Sequence, residues 1–363
     1  MAPNAIGSLF RRQTASNFRQ SINHFTQKRS WSARTIPSFY PTNSPELDQA
    51  LSRFRDELFI PHSLTTEQQR MIYRNRHAAK LNENPITVSI GEDDEPYPLR
   101  PLGVSQLPST KDAYKVLSLM HETKNWSNLA IFLTGLRNSG RSLETARWEW
   151  LVRKAGESNG LGPLLQCAQQ ANDTRFLLKE PALVKRLFFE LHVLAQEDGF
   201  SGPAVEKAYG LATQFAHLME SDTHVVNDLE KDPRRSSFVI GTLLELSAAR
   251  ALNEPSPEKG GEVLNYARRF IASWEPPTTQ TQQNWYQVDA RLQDVVASYS
   301  GMNLASKVPE VTKANDVAAG LRKRVIEYGS FIGKLKKMAP KEILEKPTLG
   351  LRHARLVHKD LKS

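Results

Sequence analysis

A single cysteine, Cys167, stands in the 363 residues of this chain. That excludes an intrachain disulfide framework and any zinc site built from several thiolates. No run of about 18 apolar residues occurs, so no transmembrane helix is expected. The nine histidines never pair at metal-ligand spacing on one helix: an expected helix end separates His217 from His224, and His353 and His358 lie in a basic segment. Neither a metal nor a cofactor is therefore expected. Acid is also missing from the start of the chain, where the first carboxylate is Glu46.

What is present is basic charge, and its placement is informative. Residues 1–45 carry six basic side chains (Arg11, Arg12, Arg19, Lys28, Arg29, Arg34) and no acid. Residues 321–363 carry twelve basic and four acidic ones, while the stretch between the two ends has a net charge of −5. A mildly acidic body with two basic ends suggests an address at one end and a polyanion contact at the other.

The opening stretch is rich in Arg, Ser, Gln and Asn. Ile6, Leu9 and Phe10, then Phe18, Ile22 and Phe25, repeat at helical spacing. Cationic, amphipathic and acid-free composition of this kind is that of a mitochondrial transit peptide. Arg29-Ser30-Trp31-Ser32 has the arginine, any residue, aromatic, small pattern of a matrix-processing site. The mitochondrial matrix is the expected location.

One stretch invites an enzymatic reading. Gly135-x-x-x-x-Gly140-Arg141-Ser142 has the glycine spacing of a phosphate-binding loop with arginine in the lysine position. Such a loop needs a buried strand before it, and the lysine and hydroxyl must reach phosphate and Mg²⁺. Here Leu129, Leu133 and Leu136 keep helical spacing instead, and a planar guanidinium does not replace an ammonium point charge. We expect Gly140 to end one helix and Ser142 to cap the next. No other stretch resembles an active site, so no enzyme and no small-molecule substrate are expected.

Four segments are expected: a presequence (1–31), an extended arm with two short helices and a β-hairpin (32–109), a helical-repeat-like domain (110–306), and a basic C-terminal helix and tail (307–363). In the arm, Leu47, Leu51, Phe54 and Leu58 share one helix face. Thr65 and Gln68 form a capping box for a second helix, followed by Arg70, Arg74, Arg76 and Lys80. Ile86, Val88 and Ile90 alternate like a strand, and an acidic turn, Glu92 to Glu95, leads to Tyr97 and Leu99. Leu183, Leu187, Leu191 and Leu194 form a helical stripe. So do Val205, Ala208, Ala212 and Phe215; Val263, Ala267 and Phe270; and Trp285, Val288, Leu292 and Val295. The fold class expected is mainly α: an irregular α-solenoid-like helical array with a small N-terminal β-hairpin and basic extended termini.

Candidate binding residues follow from charge. The C-terminal helix places Leu321, Val325, Tyr328, Ile332 and Leu335 on one side, with Arg322, Arg324, Lys334, Lys336 and Lys337 over much of the rest. Arg352 and Arg355 follow. Lysine and arginine at this density bind phosphate by counterion release. Composition leaves two other readings open, a solvated helix face and an interfacial helix on anionic inner-membrane lipid. Trp148 and Trp150 could stack on a base; the more ordinary placement is one in the core and the other at the rim of a groove. Cys167 reads as a buried small hydrophobe.

The stretch from Phe39 to Leu102, "FYPTNSPELDQ…PYPLRPL", resembles the leading segment of fungal mitochondrial ribosomal and gene-expression proteins with an irregular helical-repeat body. The resemblance implies a structural component of the mitochondrial ribosome that binds rRNA and neighbouring ribosomal proteins. Its RNA-binding residues are expected among Arg70, Arg74, Arg76, Lys80, Arg322, Arg324, Lys334, Lys336, Lys337, Arg352 and Arg355. A matrix factor for translation or RNA maturation, and an RNA-free assembly factor for a respiratory complex, are the competing readings.

Overall fold

The computed structural model describes residues 36–84, 86–91, 94–253, 261–274, 276 and 284–358. The expected presequence, and Glu92 and Asp93 of the acidic turn, lie outside the described residues.

Ser44 opens helix α1 (Pro45–Phe54) by accepting the Leu47 amide at 3.3 Å, with proline in the first turn where its missing N–H costs nothing. One π turn, Arg55–Phe59, continues it. The extra residue in that turn lets Leu58, Phe59 and Ile60 all face inward after Leu47, Leu51 and Phe54. The Phe54 and Phe59 rings then meet Phe132 at centroid distances of 5.0 and 6.1 Å, which seats the arm on the body. Helix α2 (Thr66–Tyr73) starts with the expected Thr65–Gln68 capping box. Strands β1 (Thr87–Ile90) and β2 (Glu95–Pro98) form an antiparallel hairpin with Ile90 opposite Glu95, and no other sheet occurs among the described residues. Ile60, Leu64, Ile72, Leu81, Ile90 and Leu99 make a small core under this arm.

The remainder is helical: α3 (Thr110–Glu122), α4 (Leu129–Asn138), α5 (Thr145–Glu157), α6 (Leu161–Gln169), α7 (Pro181–Glu197), α8 (Gly202–Leu218), α9 (Ser237–Asn253), α10 (Glu262–Ala272), α11 (Trp285–Ala305), α12 (Asn315–Lys337) and α13 (Leu349–Val357), with shorter turns between. The leucine and valine stripes read from the sequence are the buried faces of α7, α8, α10 and α11. The mainly α reading therefore holds.

Helix α9 belongs to two cores at once. Phe238, Val239, Leu243 and Leu246 join the core built on α1 and α3 to α8. Ile240, Leu244 and Ala248 join the one built on α10 to α13. A helix that is apolar all round is buried all round. It crosses α11 so closely that a Cβ on Gly301 would lie 2.7 Å from the Gly241 carbonyl oxygen.

Two local expectations change. Helix α5 begins at Thr145, after Glu144 and not after Ser142, because the buried Leu143 draws the intervening chain into the core. The part of the C-terminal segment after Pro340, expected as a basic tail, carries a further helix that runs to residue 357. Helix α13 buries Leu351 and Ala354 against α11. The Asp289 carboxylate on α11 accepts the Gly350 and Leu351 amides at 3.2 and 3.0 Å, and the Thr348 hydroxyl as well. Trp285 Nε1 also donates to Thr348 Oγ1 at 3.1 Å. A carboxylate on first-turn amides satisfies orphan donors and faces the positive end of the helix dipole.

Candidate nucleic-acid interface

The arm presents its cations because its apolar residues have somewhere to go. Ile72 is buried, and the Leu102 amide donates to the Ile72 carbonyl at 2.8 Å, which pins the end of α2. Arg70 and the helix-ending Arg74 are left exposed. A single 3₁₀ turn, Asn75–His77, carries exposed Arg76, whose Nε donates to His77 Nε2 at 3.0 Å. In the next short helix Leu81 turns into the small core and Lys80 turns out. Arg70, Arg74 and Lys80 face no carboxylate among the described residues.

On α12 the inward positions are Leu321, Tyr328, Phe331, Ile332 and Leu335. The outward face carries Arg322, Lys323, Ile326, Ser330, Lys334 and Lys337, all exposed. Arg322 and Lys337 are fifteen residues apart, which at 1.5 Å per residue spans about 22 Å of helix. Arg352 and Arg355 are exposed on the neighbouring α13, with Arg355 Nη1 reaching the Leu344 carbonyl at a long 3.4 Å.

Two of the predicted cations are occupied within the fold. Arg324 donates to the Gly320 and Ile271 carbonyls at 3.0 and 3.1 Å and lies over the Trp274 ring at 5.0 Å. It thereby closes the C-terminal end of α10, as a cation at a helix C-terminus should. Lys336 donates to the His358 carbonyl at 2.9 Å and holds the last described turn. Lys323 was missed by the sequence reading. Its position one residue after Arg322 and three before exposed Ile326 puts it on the outward face, while Arg324 turns in. The predicted set is not one surface: the arm cations surround the small core, and the C-terminal cations surround the core of α10 to α13.

The interior holds several buried titratable groups. His192 Nδ1 donates to Glu245 Oε2 at 2.7 Å, and both side chains are fully buried between α7 and α9. Burial pushes the Glu245 carboxyl up, with His192 opposing. Glu190, beside Arg186, is pushed up to about 7 by burial. The Cys167 thiol is raised by complete burial. No group of three or more His, Cys, Asp or Glu among the described residues is placed to hold a metal ion. Among those residues no helix is long and apolar enough to cross a membrane.

The glycine-rich stretch is not a phosphate-binding loop. It is helix α4 followed by a turn in which Gly140 takes φ +72°, the left-handed conformation that favours glycine after a helix. Trp148 and Trp150 are both half-buried against the main core, and the Trp148 ring lies 5.5 Å from that of Phe176.

Comparison with known proteins bears on this cation-faced helical body. A protein of Neurospora crassa called small ribosomal subunit protein mS27 is 25% identical in an alignment of 260 residues, with 66% of this chain and 65% of that relative covered. The chain thus aligns to just under two thirds of that relative's length. The profile of the family described as mitochondrial ribosomal protein mS27 matches residues 23–356. A match over nearly the whole folded region is decisive: the chain belongs to the mitochondrial ribosomal protein mS27 family.

Proposed function

We propose that this protein is a non-catalytic structural component of the small subunit of the mitochondrial ribosome, working in the matrix. The observation that carries the proposal is the outward face of α12, a row of cations on a rigid helix with no carboxylate paired to Arg322, Lys334 or Lys337 among the described residues. Membership of a mitochondrial ribosomal family supports the partner class. Guanidinium and ammonium groups held outward at this density neutralise phosphates and release counterions. Arg322, Lys323, Lys334, Lys337, Arg352 and Arg355 form one proposed rRNA-facing set, and Arg70, Arg74, Arg76 and Lys80 form the other. The helical body supplies contacts to neighbouring ribosomal proteins. Arg324 and Lys336 are structural.

A sucrose gradient of mitochondrial lysate, with and without RNase, tests this. Stoichiometric migration with the small subunit, collapsing after RNase, is the expected result. Migration at the top of the gradient, indifferent to RNase, would overturn it in favour of an RNA-free assembly role.

A further inference from the structure

The turn that fails as an enzymatic loop lies beside a cleft. Leu133, Leu136, Trp148, Arg137, Arg141 and Arg175 line it, and its interior has room for little more than a water molecule. That is far too small for a drug-sized ligand. An anion would sit at the cleft mouth, against the arginine side chains, and not inside it. Three guanidiniums surround the cleft against one neighbouring carboxylate. Asp173 lies 3.7 Å from Arg137, and both side chains are about a third exposed, so the pair is weakly coupled. Arg141 donates to the Pro108 carbonyl, which fixes its guanidinium without neutralising it.

Arg175 is the most telling of the three. It takes φ +65°, a conformation that glycine or asparagine adopts at lower cost than arginine. Its neighbours hold it there. Thr174 is buried and bonded to the Cys167 carbonyl at 2.7 Å, Phe176 is fully buried, and the Arg175 amide closes onto the Ala171 carbonyl at 2.9 Å. The Arg175 side chain itself is exposed and has no hydrogen-bond or ion-pair partner among the described residues. A residue held in a costly conformation with an unengaged charge at a cleft mouth is what a binding function would select. The cleft also adjoins the arm: the phenol of Tyr73, next to Arg74, is raised by burial and lowered in part by the Arg141 charge.

We propose that Arg137, Arg141 and Arg175 bind one backbone phosphate of RNA, extending the arm's cationic surface onto the body. A planar guanidinium takes phosphate oxygens two at a time, and three arginines lining one cleft present donors to a single phosphate at its mouth. The proposal rests on the RNA-binding reading above and adds to it a specific site that sequence charge density did not indicate.

The test uses the full chain and a short RNA hairpin, with affinity measured across a salt series. Arg175→Asn removes the charge while relieving the backbone, so the variant should melt no lower than the parent. It should nevertheless bind about four- to five-fold more weakly near physiological salt, with the slope of log K against log salt reduced by about 0.7–0.9, the value of one lost phosphate contact. Arg141→Gln combined with Arg175→Asn should lower the slope no further, because both residues serve the same phosphate. An unchanged affinity and slope in Arg175→Asn, with the parent binding normally, overturns the cleft and leaves the wider reading intact. Unchanged RNA binding with lost ribosomal co-sedimentation also overturns it, and assigns the cleft to an acidic protein neighbour. A parent chain that fails to bind the hairpin at low salt overturns both.

Discussion

His224 and His353 are kept neutral by their surroundings, and each makes stability depend on pH. His224 accepts the Leu178 amide at Nδ1 (3.1 Å) and donates from Nε2 to the Ala168 carbonyl (2.9 Å), so protonating Nδ1 would set two donors against each other. Burial lowers its pKa from 6.5. Burial, then the charges of His192, Arg352 and Arg186, pushes His353 down to about 3. Below pH 6.5 the unfolded chain binds protons at these histidines that the native chain refuses, so stability falls as pH falls. Glu190 runs the other way. Its native pKa of about 7 stands above the ordinary 4.5, so the native state holds the extra proton and stability is lost as pH rises from 4.5 to about 7. Glu245 acts in the same direction as Glu190. Between pH 4.5 and 6.5 the two kinds of group offset one another. Glu190→Gln removes part of the offset, and its urea-unfolding free energy should fall more steeply than the parent's from pH 6.5 to 5. The added slope is about 1 kcal/mol per pH unit. Parallel profiles for variant and parent would show that Glu190 does not carry the native proton.

Helix α13 shows what holds a short element in place. Nine residues do not form a stable helix alone. The Asp289 carboxylate holds it by its first turn and the burial of Leu351 and Ala354 by its side. Asp289→Ala removes the cap, which costs about 1–2 kcal/mol. Because α13 is terminal, local opening should precede global unfolding. Hydrogen exchange at the Leu351 to Ala354 amides should quicken while α9 stays protected; unchanged exchange there would assign the docking to packing alone. This is also where legibility ends. The Thr65–Gln68 box, the Gly140 turn and the helical stripes could be read because their causes lie within a few residues. The Asp289 cap joins residues 61 positions apart, and Arg324 finds Ile271 53 positions away. Neighbours in sequence carry no sign of such partners. For the same reason charge density located the basic regions but could not separate Arg324 from Lys323, or reveal that Arg175 shares a cleft with Arg141.

For the whole molecule the question is how two cationic surfaces on different cores act together. Helix α9 contributes to both large cores, and the Phe54–Phe132 and Phe59–Phe132 contacts tie the arm to the first of them. Surfaces linked through packed helices engage one particle with little further entropy cost once either has bound, so moderate contacts add up to firm retention. The C-terminal surface can be removed without touching the core, because Lys334 and Lys337 are exposed and have no partner among the described residues. Lys334→Gln combined with Lys337→Gln should leave the melting temperature nearly unchanged. It should lower the salt slope of RNA binding by about 1.4–1.8, two phosphate contacts, and strip the protein from the small subunit in a moderate-salt wash that the parent survives. Arg324→Gln should do the reverse. It should melt lower, by about 1–2 kcal/mol for a lost carbonyl contact and a lost tryptophan stack, with the salt slope unchanged. If instead Arg324→Gln shifts the slope and the double lysine variant does not, the RNA-facing side of α12 is the opposite of the one assigned here.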